Sequence, residues 1–194
     1  MTIATDRRMT LKEFLTYDDG SDVRYELIDG VRVEMGAESR SNLKIAVFLL
    51  ECFLQLVDRQ RIGIKEKIEV SSRFATARDP DLMIHSIESM MAVDAKKEAC
   101  LDLCDPNPIL VVEIVSPGNE SSTNYKRDYE QKPKEYAARG LGEFWQVDSD
   151  RSWVRVGTLV DGIYQVKTYQ GDAIVVSPSF PKLNLTARQI LEAG

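Results

Sequence analysis

"LVVEIVSP", residues 110–117, is the stretch that decides how the chain folds. With Ile109 before it, the run Leu110, Val111, Val112, Ile114 and Val115 has no polar face, so it reads as a central strand covered on both sides. Glu113 sits inside that run, where an unpaired charge costs several kcal/mol. Something must compensate it.

The segments on either side supply the rest of a β-sheet core. Upstream, "IGIKEKIEV" (62–70) alternates as a strand and "DPDLMIHSI" (79–87) reads as a second; downstream, "GEFWQVD" (142–148) is another. "YELIDGVRVEM" (25–35) holds two short runs joined by Asp29-Gly30, a hairpin signal repeated at Asp161-Gly162 in "SWVRVGTLVDGIYQVKTY" (152–169). Helical spacing over about five turns marks "SRSNLKIAVFLLECFLQLVDRQ" (39–60), with Ser39 or Ser41 as cap and Gly63 just past its end. A second, polar helical region runs from Ser121 to Arg139 with Gly140 as its C-terminal cap. Short helices begin at Thr10 and Thr186, and residues 88–107 form a polar connection holding a short helix. The order implies one α/β (α+β) domain over 1–194: a mixed central β-sheet flanked by helices, with an additional C-terminal β-hairpin or meander.

Length and composition agree with that reading. At 194 residues, 43% hydrophobic and 29% charged, the chain can bury a core unaided. No apolar run is long enough to span a bilayer and the N-terminus lacks a secretory apolar region, which implies a cytoplasmic protein away from membranes. Cys52, Cys100 and Cys104 have no CxxC spacing and only His85 could join them, so three reduced thiols are expected and a zinc site is not. The net charge of −6 argues against a protein that coats nucleic acid through nonspecific phosphate contacts. It leaves room for a local basic groove, or for an enzyme that meets phosphates through a metal.

Two predicted neighbouring strands carry carboxylates in unusual places. Asp81 follows Pro80 directly, and Glu113 is walled by aliphatics. Mg²⁺ takes one or two protein carboxylates, keeps several waters and binds substrate phosphate at its remaining positions. A cation between two buried carboxylates also removes their repulsion. Asp79 reads as a turn residue at the start of the strand.

At these residues the chain resembles a known group. Pro80-Asp81 followed by Glu113-Ile114-Val115 is similar to the PD-(D/E)xK nuclease superfamily, although Val115 stands at the usual lysine position. Together, "YELIDG", "RDPDLMI", "LVVEIVSP", "YKRDYEQKPKEYAARG", "GEFWQVD" and "FPKLNLTARQIL" resemble the Uma-type "putative restriction endonuclease" family from about residue 10 onward. The resemblance implies a restriction endonuclease-like fold, Mg²⁺ with Mn²⁺ able to substitute, DNA as substrate, and a lysine moved to the following helix.

Tyr125, Tyr129, Lys132 and Tyr136 fall on one helical face, which would turn Lys132 inward with Asp128 one turn before it. Pro133 interrupts that argument: either the helix kinks there or a new one starts. Lys132 is thus an inward lysine near Glu113 or a solvated one. Glu26, by resemblance, lies near the metal; by local pattern it is an exposed strand residue. His85 and Ser116 are phosphate contacts or structural residues. The expected activity is metal-dependent endonuclease chemistry with Asp81, Glu113 and Lys132 catalytic, Asp81, Glu113 and Glu26 holding the metal, and a homodimer able to cut both strands. Two other readings stay open: a non-catalytic nucleic-acid- or protein-binding module on a degenerate nuclease fold, and a hydrolase of another phosphorylated substrate.

Overall fold

All five residues of the strand Leu110–Ile114 are buried, and it lies inside a six-stranded sheet. The structure is a computed structural model that describes residues 8–21, 23–116 and 118–194. Pro117, expected to end the central strand, lies outside the described residues, as do the first seven residues.

In chain order the first half holds α1 (Leu11–Leu15), β1 (Tyr25–Ile28), β2 (Val31–Glu34), α2 (Arg40–Phe53), β3 (Ile62–Gly63), β4 (Lys67–Val70), β5 (Thr76–Arg78) and β6 (Leu82–Ile84). The second holds α3 (Ile87–Asp94), β7 (Cys100–Leu101), β8 (Leu110–Ile114), α4 (Thr123–Tyr125), α5 (Lys132–Arg139), β9 (Glu143–Asp148), β10 (Trp153–Val160), β11 (Ile163–Tyr169) and α6 (Ala187–Leu191). The fold is mixed α/β, as expected, and both Asp-Gly hairpins are present as β1–β2 and β10–β11. β8 is parallel to β9 and antiparallel to β6.

The mixed central sheet expected from the sequence is present in the order β11-β10-β9-β8-β6-β3, and a second mixed sheet, β2-β1-β5-β4-β7, accompanies it. They meet along one two-stranded ribbon. β3 pairs with β6 and β4 with β5 in the same continuing register, Gly63 opposite Met83 and Ile68 opposite Arg78. Pairing lapses between those points for two local reasons. Pro80 has no N–H to give, and Lys65 adopts a left-handed φ of 57°. "IGIKEKIEV" is therefore broken between two sheets, and the strand read over 79–87 is β6 alone, with β5 lying before the break where no strand was read. Asp79 and Asp81 flank the break.

Alternation along β8 sends Leu110, Val112 and Ile114 to one face, where α2 and α6 pack through Ile45, Leu49, Phe53 and Ile190. Val111 faces the other way into a cluster with Tyr136, Leu141 and Phe144 beneath α5. Ser39 caps α2, but the helix stops at Phe53, short of the periodic stretch. There the chain turns, with Leu56 and Val57 both bonding back to the Phe53 carbonyl, and those side chains still join the core. Gly63 belongs to β3 and caps no helix. Cys52, Cys100 and Cys104 are free thiols.

Pro133 is accommodated by a change of helix type. Residues Lys126–Gln131 form a π-helical segment, and α5 starts after it with Pro133 in its first turn. The wider turn alters the phase, so Lys132 and Tyr136 are buried while Tyr125 and Tyr129 are only half-buried. Gly140 ends α5 at φ 85°, and among the described residues a Cβ there would meet only Asn107 at 3.6 Å. Gly140→Ala is accordingly a pure backbone-strain change, expected to lower stability by about 1 kcal/mol in a thermal melt without changing activity.

Candidate active site

Glu113 is buried on the α5 face of β8, and both its oxygens are engaged. Lys132 Nζ donates to Oε2 at 2.6 Å and the Tyr136 hydroxyl donates to Oε1 at 2.6 Å. The two donors are one turn apart on α5, so a single helix face holds the carboxylate from both sides. Lys132 also lies 3.3 Å from Asp128 Oδ1 and 3.7 Å from Glu26 Oε1.

Glu26 brings the second sheet into the same network. It is buried, its Oε2 accepts from Arg78 Nη1 at 2.9 Å, and Arg78 grips Glu135 of α5 through Nε at 2.7 Å and Nη2 at 2.8 Å. The reading of Glu26 as an exposed strand residue does not hold. Lys132 lies inside the protein, not in solvent.

The protonation states follow from these contacts. Burial alone would weaken the Lys132 ammonium, but Glu113, Glu26 and Asp128 more than offset it and hold its affinity for the proton above that of an ordinary lysine. Burial raises the Glu113 carboxyl, and Lys132 counters only part of that rise. For Glu26 the balance goes the other way: burial is outweighed by Lys132 and Arg78, and the carboxyl is lowered. Asp128 is likewise lowered, with Lys132 and Arg127 outweighing burial.

Asp81 is placed beside this network by the ribbon break. Its Oδ2 accepts the Ile114 amide at 2.7 Å, which ties it to the residue after Glu113. It is half-buried, and among the described residues no cation lies within ion-pair distance of it. Burial first, and then the negative charge of Glu113, push its carboxyl up to about 8. A cavity of about 130 Å³ adjoins it, lined by Arg24, Glu38, Lys65 and Pro80 with Leu43 and Val47 as apolar wall.

Asp79, read as a turn residue at the start of a strand, lies between β5 and β6. It is buried, its Oδ2 pairs with Arg24 at 2.7 Å and Lys67 at 3.5 Å, and its Oδ1 has no hydrogen-bond partner among the described residues. His85 is buried between Ser89 at 3.1 Å and Glu66 at 2.7 Å, a structural arrangement. Ser116 is half-buried just beyond β8. Tyr136, Arg78 and Glu135 had no site role in the sequence reading. The tyrosine carried a signal in its spacing from Lys132, but the Arg78 pairs cross 52 and 57 residues and leave no local trace.

Among the described residues, no group of three or more His, Cys, Asp or Glu side chains is arranged to hold a metal ion. Nor is any described helix long and apolar enough to cross a membrane.

Among curated proteins there is no match to the chain. The crystal structure of a "putative nuclease belonging to DUF820" from Anabaena variabilis is similar over 95% of this chain and 98% of that one, with a TM-score of 0.69 and 19% identity. That likeness establishes a shared fold. Residues 11–188 match the Uma2 family, described as "Putative restriction endonuclease". With a nuclease-like fold around a buried carboxylate–lysine network and a family match over most of its length, this chain belongs to the Uma2 family.

Proposed function

We propose that this protein is a divalent-metal-dependent endonuclease that hydrolyses phosphodiester bonds in DNA. The observation that carries the reading is the Lys132–Glu113 contact of 2.6 Å, with Asp81 bonded to the next peptide of the same strand. Asp81 and Glu113 would hold Mg²⁺, or Mn²⁺ in its place, with Glu26 behind them. The fit rests on Asp81: a carboxyl raised to about 8, coupled to Glu113 and, among the described residues, with no cation within ion-pair distance, is what a divalent ion relieves. Such an ion supplies Lewis-acid polarisation of phosphoryl oxygens and a lower pKa for water.

The chain's own groups do the rest. Lys132 keeps its proton at neutral pH, so its role is to stabilise charge growing on phosphate and to orient Glu113, not to act as a base. Tyr136 fixes the second oxygen of Glu113, and Arg78 fixes Glu26. A homodimer would supply the two sites needed to cut both strands.

One observation favours the alternative of a binding module without catalysis: Lys132 and Tyr136 already occupy both oxygens of Glu113. Calorimetric titration of Mn²⁺ separates the two readings. Saturable binding that disappears in folded Asp81→Asn supports the enzyme. DNA binding unaffected by any cation, with no cation bound, supports the module.

A further inference from the structure

We propose that Arg155, with Arg151 beside it, contacts the phosphates of a DNA strand lying across the carboxyl ends of β8 and β9; the proposal rests on the nuclease reading above. Arg155 stands opposite Gln146 of β9, and Gln146 stands opposite Glu113 of β8. The three residues form one row on one face of the sheet, and two strand spacings of about 4.8 Å put the Arg155 backbone roughly 10 Å from that of Glu113.

What distinguishes Arg155 is that its charge is ordered but unspent. Its guanidinium carbon lies 4.1 Å from the centre of the Trp153 ring and 5.7 Å from that of Tyr129. Among the described residues it makes no ion pair, and it remains half-buried, not hidden. Arg151 is held on the same aromatic floor, 5.2 Å from the Tyr125 ring and 5.3 Å from that of Tyr129. It is fixed by Asp148 at 2.8 Å and by the Gly118 carbonyl at 2.8 Å, just past the end of β8.

The floor itself is rigid. Tyr125 and Tyr129 stack with centres 4.3 Å apart, Trp153 meets Tyr129 edge-on at 5.5 Å, and the Tyr129 hydroxyl donates to Asp148. Rings of this kind pre-order a guanidinium at little entropic cost and leave its planar fork of donors for phosphate. In a chain of net charge −6, general attraction to DNA is weak, so a fixed local pair of arginines would dominate the contact.

The test is fluorescence anisotropy of a labelled random-sequence DNA duplex in EDTA, titrated from roughly 50 to 200 mM salt. Arg155→Gln is expected to weaken binding about tenfold and to reduce the slope of log affinity against log salt by about 0.9, the mark of one lost phosphate contact. Arg155→Lys, which keeps the charge and loses the fork, retains the wild-type slope. Wild-type affinity and slope in Arg155→Gln, or weaker binding at an unchanged slope, overturns the inference and leaves the nuclease reading intact. Failure of the wild type to bind DNA, with or without Mn²⁺, overturns both.

Discussion

Lys132→Met is expected to cost about 3–5 kcal/mol of stability, because it strands buried carboxylates whose shared cation has been removed. Glu113 loses its 2.6 Å partner, while Asp128 and Glu26 keep Arg127 and Arg78 but lose the lysine at 3.3 and 3.7 Å. A methionine fills similar space, so the loss is electrostatic, not a cavity effect. At about 2–4 °C per kcal/mol for a chain of this size, thermal melting reads it directly. Adding Glu113→Gln should return part of the lost stability: the amide is neutral and can still accept from the Tyr136 hydroxyl. DNA cleavage, in contrast, should be absent in both variants. A Lys132→Met melt within 1 °C of wild type would show that the network carries no such charge dependence.

Asp81→Asn has the opposite sign. The Asp81 carboxyl is raised in the folded protein from 3.8 to about 8, so its contribution to stability is full below 3.8 and is lost as pH rises through about 8. Asparagine stays neutral and can still accept the Ile114 amide that Asp81 accepts at 2.7 Å. In cation-free buffer at about pH 9 the variant should therefore melt above the wild type, by about 2–4 °C for each kcal/mol of repulsion relieved. Towards pH 4 the two curves should converge. A variant less stable than wild type at high pH would mean that Asp81 is compensated by a group not seen here.

Parts of this arrangement were legible from local pattern. The unbroken apolar run around Glu113 made its strand and its burial readable. Lys132 was legible through the family resemblance and through helical spacing, and the π-helical segment before it shows why the spacing argument was incomplete: it buries Lys132 and Tyr136 but leaves Tyr125 and Tyr129 half-buried. The division into two sheets was not read: Pro80 shows only a missing donor, and the break also needs a left-handed Lys65, a conformation that residue type does not announce. The Glu26–Arg78–Glu135 chain was invisible for a different reason. Its members are distant in sequence and meet only when β1, β5 and α5 are assembled.

Nicking of supercoiled DNA by wild type and Asp81→Asn, side by side in Mn²⁺ and in EDTA, tests the central claim most directly. Because the variant is expected to be folded and at least as stable, unfolding cannot account for lost activity. The prediction is cleavage by wild type in Mn²⁺, none in EDTA, and none by the variant in either. Equal cleavage by wild type and variant, or cleavage that persists in EDTA, would contradict a metal-dependent site built on Asp81 and Glu113.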